Sequence, residues 1–294
     1  MKKILAILAA AAAVVSCHKS DIMPDDSFGE MNFKFEIPAT KATATAFESG
    51  DAVSLFAVEY AAEEAPELQI SGNFLNNEKL AFNGTRWEAQ RKLYWSEKAC
   101  DFYALYPYQS FSSIESQPFE VSADQNSAES AKALGGYEAS DLLFAKAEKV
   151  SRPGDNALAM TFKHIMSKCV VTITKGEKFE GDIPDDITTH IYNTCTSAIL
   201  NMGKGSVEKD SQGNRKTITM KKLSNTRFEA IVVPQNIERR TPLIEVTMGG
   251  IAYLLEYSLS FKPGYVHTIN LIVNTSPDQE NIEISIDPNI GNMQ

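Results

Sequence analysis

The sequence predicts an all-β protein built from β-sandwiches, and three observations support this class. Short stretches in which apolar and polar residues alternate recur along the chain, as expected for strands with one buried face. Turn residues, mainly Gly, Asn, Asp and Pro, separate these stretches. Apolar residues at helical spacing are scarce, so helices are not expected to form the core.

The first 30 residues predict export. Two lysines, an apolar run and a small residue precede Cys17, which is the order of an export signal over residues 1–16. The run is too short for a membrane helix, which needs about 20 apolar residues. The four residues that end in Cys17 resemble the lipobox of bacterial lipoproteins, so Cys17 is the predicted lipidation site. Polar and acidic residues follow and predict a flexible lipidated tether over 17–30.

The remaining chain is long enough for two domains. The segment 150–156, which contains Pro and Gly, breaks the alternating pattern more strongly than any other interior segment. It also leaves roughly equal lengths on either side. We therefore expect an N-terminal β-sandwich domain over 31–156, a C-terminal β-sandwich domain over 157–273 and a tail over 274–294.

Nine stretches carry the alternation of a strand. In chain order they are residues 31–37, 52–58, 101–106, 141–145, 169–174, 228–233, 243–247, 252–259 and 266–273. Glycines at 249–250 and at 203–205 predict hairpin turns. The polar, Ala- and Ser-rich stretch 122–136 predicts a loop with a short helix.

The first and last predicted strands look alike. Near the start, every second residue is apolar: Met31, Phe33, Phe35 and Ile37. In the tail the spacing returns, with Pro288 at one of its positions: Ile282, Ile284, Ile286 and Ile290. Each pattern predicts a strand with one apolar face. The tail strand either pairs within its own domain or fills the place of the first strand in another molecule by β-augmentation, and Pro288 is expected to interrupt its hydrogen bonds.

Exchange requires that the first strand can leave. The segment 37–45 holds a proline and small residues that keep it out of a sheet centre. Lys41 offers a trypsin-like cleavage site there, with Ala42 as the new first residue. Burial of four apolar side chains by a replacement strand amounts to a gross gain of about 6–12 kcal/mol.

Several motifs together resemble the fimbrillin-like proteins of Bacteroidales, the subunits of type V pili. They are the lipobox cysteine and segments 39–42, 50–56, 94–95, 102–107, 141–145, 158–168 and 261–265. The resemblance implies two transthyretin-like β-sandwich domains in tandem and export as a lipoprotein. It also implies cleavage by an Arg/Lys-specific protease and polymerisation through C-terminal tails. Carried over, Cys17 is the acylated cysteine, Lys41 the basic residue of the cleavage site, and 282–290 the donor strand.

The expected partners follow from this resemblance. They are other copies or related pilus subunits, the Arg/Lys-specific protease, and the outer membrane through lipid, at the surface of the cell. Host or bacterial glycans or proteins are further possible targets, because six aromatic residues could stack on sugars: Trp87, Tyr94, Trp95, Tyr103, Tyr106 and Tyr108. In a β-sandwich such residues more often pack in the core. An anchor, accessory or tip subunit, or a monomeric glycan-binding lipoprotein, stays open as an alternative.

Other function classes find no support. A net charge of −10 with only isolated basic pairs argues against nucleic-acid binding. The four histidines, at 18, 164, 190 and 267, do not stand at metal-ligand spacing, and no nucleophile-elbow, P-loop or dinucleotide motif occurs. We expect no catalysis, cofactor or metal. Cys100, Cys169 and Cys195 show no paired spacing and are expected to be buried free thiols.

Overall fold

The computed structural model describes residues 29–38, 46–130, 133–274 and 284–292, and for the last range it describes the backbone alone. Strands dominate these ranges, so the predicted all-β class is confirmed. Among the described residues, no helix has the length and apolar character that crossing a bilayer requires.

The strands of the first half are β1 (Asn32–Glu36), β2 (Ala52–Glu59), β3 (Leu75–Phe82), β4 (Trp87–Ala89), β5 (Cys100–Tyr106), β6 (Gln117–Glu120), β7 (Leu143–Val150), β8 (Ala157–Thr161) and β9 (Lys163–His164). The short helix α1 (Gly136–Ser140) precedes β7. Six of these strands form an antiparallel sheet in the order β4-β3-β2-β5-β7-β9. A two-stranded parallel sheet, β1 with β8, packs on one face of it.

The strands of the second half are β10 (Ser167–Lys175), β11 (Thr188–Cys195), β12 (Ser197–Asn201), β13 (Ser206–Lys209), β14 (Arg215–Thr219), β15 (Lys221–Ser224), β16 (Arg227–Val232), β17 (Gln235–Ile237), β18 (Pro242–Met248), β19 (Ile251–Glu256), β20 (Leu259–Phe261), β21 (Tyr265–Val273) and β22 (Ile284–Asn292). A five-stranded sheet, β15-β16-β10-β21-β22, and a four-stranded sheet, β14-β11-β18-β19, contribute to one core. The pair β17-β20 forms a small additional sheet.

Two cores meet at the six-stranded sheet. Every residue of β5 is buried because each of its faces covers a different core. Phe102 packs in the first core, together with the side chains of β1 and β8. Tyr103 and Leu105 pack in the second core, together with the strands of the second half. The halves therefore share buried side chains.

Backbone and polar contacts join the halves as well. The strand β6 of the first half pairs antiparallel with β12 of the second half. In the loop before α1, the fully buried Gln125 accepts a bond from the Ile231 N–H and donates one to its carbonyl oxygen, both at 2.7 Å. From α1, the hydroxyl of Tyr137 donates to Glu229, which also pairs with the buried Lys168 at 2.5 Å. Burial raises the pKa of Glu229, but Lys168 and Arg227 outweigh burial, so its pKa lies below the ordinary value.

All nine strongly alternating stretches lie in strands, with shifted ends. The stretch 252–259 divides at Tyr257, because β19 pairs with β18 whereas β20 pairs with β17. Both predicted hairpin turns occur, between β12 and β13 and between β18 and β19. Residues 151–156 form the turn between β7 and β8, and β8 and β9 then pack with the first half. The division into two domains at that turn stays a prediction.

Candidate functional site

The strand β1 has one buried face and one exposed face. Met31 and Phe35 are 5% and 7% exposed, whereas Phe33 and Ile37 are half-buried. The intervening residues Asn32, Lys34 and Glu36 are exposed to solvent. The apolar positions thus alternate in depth, with two deep sites four residues apart.

Phe35 fills an aromatic pocket. Its ring centroid lies 5.2 Å from that of Trp87 and 5.6 Å from that of Phe162. Phe47, which follows the predicted cleavage segment, closes the pocket with its ring 4.8 Å from Trp87 and 5.4 Å from Phe162. Without β1 this pocket would open to solvent, because the side chain of Phe35 fills it.

The backbone of β1 is bonded mainly to β8. The strands run parallel, with Asn32 opposite Ala157 and Glu36 opposite Thr161. The N–H of Asn32 donates to Asn156 and the carbonyl of Glu36 accepts from Phe162, each at 2.8 Å. In a parallel ladder every second residue bonds to a given neighbour, so the even-numbered residues of β1 bond to β8.

The odd-numbered residues of β1 direct their N–H groups to the opposite side. Near the start of the strand, the Met31 N–H donates there to the carbonyl of Leu93 at 2.8 Å. Two exposed ion pairs, Lys34 with Asp155 and Lys92 with Glu30, add little stability. Burial of the apolar face and one ladder of hydrogen bonds therefore hold β1.

The tail strand β22 pairs antiparallel with β21 of its own chain, at the edge of the five-stranded sheet. Ile284, Ile286, Pro288 and Ile290 stand opposite Val273, Leu271, Ile269 and His267, which are all buried. The N–H of Gly176 donates to the carbonyl of Val273, so the odd-numbered residues of β21 bond to β10. Its even-numbered residues therefore face β22.

Pro288 stands opposite an odd-numbered residue of β21 and consequently faces no hydrogen-bonding group. The expectation that it interrupts the pairing of the tail is wrong in this register. An edge strand tolerates proline at such a position, because the missing N–H would point to solvent.

A cavity of about 210 Å³ lies where β1 ends. Its wall includes Ile37 and Ala46, which lie on either side of the predicted cut after Lys41. In this wall the Nδ1 of His164 lies 2.9 Å from a carboxylate oxygen of Asp141, and both side chains are buried. The Tyr106 hydroxyl, also in the wall, donates to Asp51 at 3.0 Å, and burial beside this carboxylate raises the pKa of Tyr106.

Several predicted residues lie outside the described ranges: Cys17, Lys41, Ala42 and Ile282. The side chains of Ile284, Ile286 and Ile290 are likewise not described. Sequence reasoning missed Phe47, Trp87 and Phe162 as the lining of the groove. It also missed β8, although Leu158 and Met160 alternate there with smaller and polar residues.

The remaining candidate groups are part of the core. Cys100, Cys169 and Cys195 are buried free thiols, as predicted, and burial raises the pKa of Cys169 to about 12. Four of the six aromatic residues considered for glycan stacking are buried: Trp87, Trp95, Tyr103 and Tyr106. Within the described ranges, no group of three His, Cys, Asp or Glu side chains is arranged to hold a metal ion.

Comparison with known proteins gives one family match. A family model described as fimbrillin-like matches residues 40–292. No curated protein matches the chain.

Three of the solved structures with the same fold come from Bacteroides species. A candidate cell adhesion protein from Bacteroides ovatus is 15% identical, with a TM-score of 0.67 over 90% of this chain and 98% of that chain. A second one, from Bacteroides uniformis, is 21% identical, with a TM-score of 0.63 and the same coverage of 90% and 98%. A fimbrial protein from Bacteroides vulgatus is 13% identical, with a TM-score of 0.51 over 90% and 99% of the two chains. At these identities the likeness establishes the fold.

Proposed function

Because the chain belongs to the fimbrillin-like family, we propose that it is a structural subunit of a cell-surface fimbria that assembles by strand exchange. Membership of a family of structural proteins confirms that the chain is not an enzyme. In the proposed pathway Cys17 receives lipid for export to the outer membrane. An Arg/Lys-specific protease then cuts after Lys41, and the tail of another copy or a related pilus subunit takes the place of β1.

The groove that β1 fills is the observation that carries this proposal. Loss of β1 would uncover the aromatic pocket at Trp87 and Phe162 and the bonding edge of β8. A strand with apolar residues at every second position fits both requirements. Its gross gain of about 6–12 kcal/mol is an upper bound, because a free tail already buries some of its surface.

The position of the predicted cut also supports exchange. The strand β1 continues into the rest of the folded chain only through the segment that begins at Ile37 and Pro38. A cut after Lys41 leaves β1 covalently joined to the lipid tether alone. Noncovalent contacts then hold it in the groove, where another strand can compete for the same place.

A tip position is the second candidate, and the pairing of β22 with β21 favours it. A tip subunit would keep its tail on its own sheet and accept no further subunit through it. A stalk subunit must instead release β22 from β21 before the tail can enter another groove. Polymerisation of the pure cleaved protein therefore separates the two positions.

The first experiment tests cleavage. We expect Lys41→Ala to reach the membrane but to yield no heat-resistant ladder on a denaturing gel, because β1 stays in its groove. Lys178→Ala, at an exposed position, is the control and should assemble normally. N-terminal sequencing of the surface protein should begin at Ala42. Normal ladders from Lys41→Ala would rule out this cut.

The second experiment tests the donor. Ile284→Asp in a cleaved subunit should block assembly, because it places a charge in an apolar groove. Ser285→Asp adds the same charge one residue further along, where alternation places it on the opposite face. We expect this control to polymerise. Unchanged filaments from Ile284→Asp would exclude the tail as donor.

A further inference from the structure

The groove that β1 fills accepts proline at some positions of a replacement strand and not at others. Only the even-numbered residues Asn32, Lys34 and Glu36 bond to β8, whereas the odd-numbered residues supply the apolar face. Proline lacks the N–H that an even position must donate. A replacement strand can therefore carry proline at an apolar position, and not at a polar one.

The tail satisfies this condition. Pro288 is an even number of residues from Ile282, Ile284 and Ile286, so all four occupy equivalent positions in an extended strand. When the isoleucines fill the apolar positions of the groove, the proline does so as well. The polar residues between them, Glu283, Ser285 and Asp287, then fall at the exposed positions that bond to β8.

For a strand that runs in the direction of β1, the depth of the groove selects one register. The sites of Met31 and Phe35 are deep, and they require bulky apolar side chains four residues apart. Ile282 and Ile286 have this separation, and so do Ile286 and Ile290. The second pair would place Asn292 at the site of Ile37, so only the first pair supplies an apolar residue at all four positions. A shift of two residues in one direction would place Pro288 in the pocket of Phe35. A shift in the other direction would place Glu280 in the site of Met31.

Building on the proposed strand exchange, we propose that the tail of a second copy enters the groove in the direction of β1, in one defined register. The equivalent positions, in order, are Ile282 for Met31, Ile284 for Phe33, Ile286 for Phe35 and Pro288 for Ile37. In this arrangement Ser285 replaces Lys34 and bonds to β8. Pro288 lies at the shallow end of the groove, where it costs no bond to β8.

Cysteine pairing tests the register and the direction, because entry in the opposite direction, with Ile290 and Ile286 in the deep sites, would place Ser285 opposite Thr161. In the structure Lys34 stands opposite Ala159 of β8, whereas Ala157 and Thr161 stand opposite the neighbouring polar positions. A cleaved donor carrying Ser285→Cys is mixed with cleaved acceptors carrying Ala157→Cys, Ala159→Cys or Thr161→Cys. Paired residues of adjacent strands lie close enough for a disulfide. We expect linked subunits with Ala159→Cys and at least tenfold less product with the other two.

The outcomes distinguish an error in the register of the tail from an error in strand exchange itself. Predominant linkage through Ala157→Cys or Thr161→Cys would overturn the register but retain strand exchange. Assembly without linkage in any of the three mixtures would overturn the placement of Ser285 against β8. Failure of the cleaved wild-type protein to assemble would instead contradict the proposed function itself.

Moving the proline provides an independent test. Pro288→Ala restores an N–H that points away from β8 and trims only one contact at the shallow end of the groove, so we expect the cleaved variant to form polymer within about threefold of the wild type. Ser285→Pro removes an N–H that donates to β8, and we expect at least tenfold less polymer. Thermal unfolding of the uncleaved Ser285→Pro protein shows whether its body folds normally. Normal assembly of Ser285→Pro, or failure of Pro288→Ala, would overturn the inference.

Discussion

Phe35 anchors the first strand through its aromatic neighbours Trp87 and Phe162. Truncation to Ala leaves a cavity in this pocket, so we expect Phe35→Ala to lower the free energy of unfolding of the uncleaved protein by about 3–5 kcal/mol. Phe33→Ala, at a half-buried position of the same strand, should cost about 1–2 kcal/mol. Urea unfolding measures both losses. Equal losses would contradict the alternating depth of the groove.

His267 makes stability depend on pH. It is 1% exposed, and burial, with a smaller effect of Lys262, lowers its pKa to about 4 from 6.5. The unfolded chain therefore binds a proton between these values and the folded chain does not. We expect stability to fall as pH drops from about 6.5 to about 4, by up to about 3 kcal/mol.

His267→Gln serves as the matched variant for this prediction. Glutamine keeps an acceptor for the N–H of Lys262, which now donates to Nε2 of His267 at 3.1 Å. The difference between the two pH–stability curves isolates the imidazole, since the carboxylates are unchanged. Parallel curves between pH 6.5 and 4 would contradict the burial argument.

At the residue scale, the sequence predicted what depends on neighbours along the chain. The alternation of Met31, Phe33, Phe35 and Ile37 is local, and β1 displays it. The aromatic pocket could not be predicted in the same way. Phe47, Trp87 and Phe162 come from separate segments, and tertiary packing alone brings them together.

Among the elements, β22 offers a test of its pairing with β21. In the observed register Ser285, Asp287 and Asn289 stand opposite the even-numbered residues of β21 that face the tail. Their amide hydrogens should exchange slowly in the uncleaved protein, and those of Ile286 and Ile290 rapidly. Residue-resolved hydrogen exchange by NMR measures this pattern. Uniformly fast exchange would mean that the tail is free before cleavage.

Strands with strong alternation were predictable, and weakly apolar strands were not. The strand β14, Arg-Lys-Thr-Ile-Thr, buries only Ile218, so its sequence resembles that of a polar loop. Strand order and the parallel pairing of β1 with β8 also depend on contacts between distant segments. The effect of Pro288 on strand pairing was not predictable from the sequence either, because it depends on which edge of β22 faces a neighbouring strand.

For the whole molecule, the shared core predicts cooperative unfolding. β5 and β2 each contribute side chains to both cores, so neither half can unfold without exposing the other. We expect one thermal transition, with calorimetric and van't Hoff enthalpies in agreement. Two resolved transitions would show that the halves are independent domains.

Substitution of Gln125 tests the contact between the two halves at a single side chain. Its amide makes two buried bonds to the backbone of Ile231, so Gln125→Ala leaves both backbone groups unpaired. We expect a loss of about 2–4 kcal/mol in the free energy of unfolding. Gln212→Ala, at an exposed position, should change it by less than about 0.5 kcal/mol. Similar effects of the two substitutions would contradict the conclusion that the buried hydrogen bonds of Gln125 stabilise the contact between the halves.

At this scale the sequence indicated the class and two halves of similar size. It did not indicate that the two halves are joined by paired strands and buried hydrogen bonds. The pairing of β6 with β12 and the contacts of Gln125 link residues far apart in the chain, and neither segment carries a local signal of its partner.

The single connection at the end of β1 has a kinetic consequence. While the chain is intact, β1 is tethered beside its groove at an effective concentration on the order of millimolar. A competing tail must exceed that local concentration to enter. After a cut, the chain no longer holds β1 at that concentration. A strand β1 that leaves the groove can diffuse away with its tether and then seldom returns. Proteolysis would then make assembly effectively irreversible, even if the two strands bound the groove equally well.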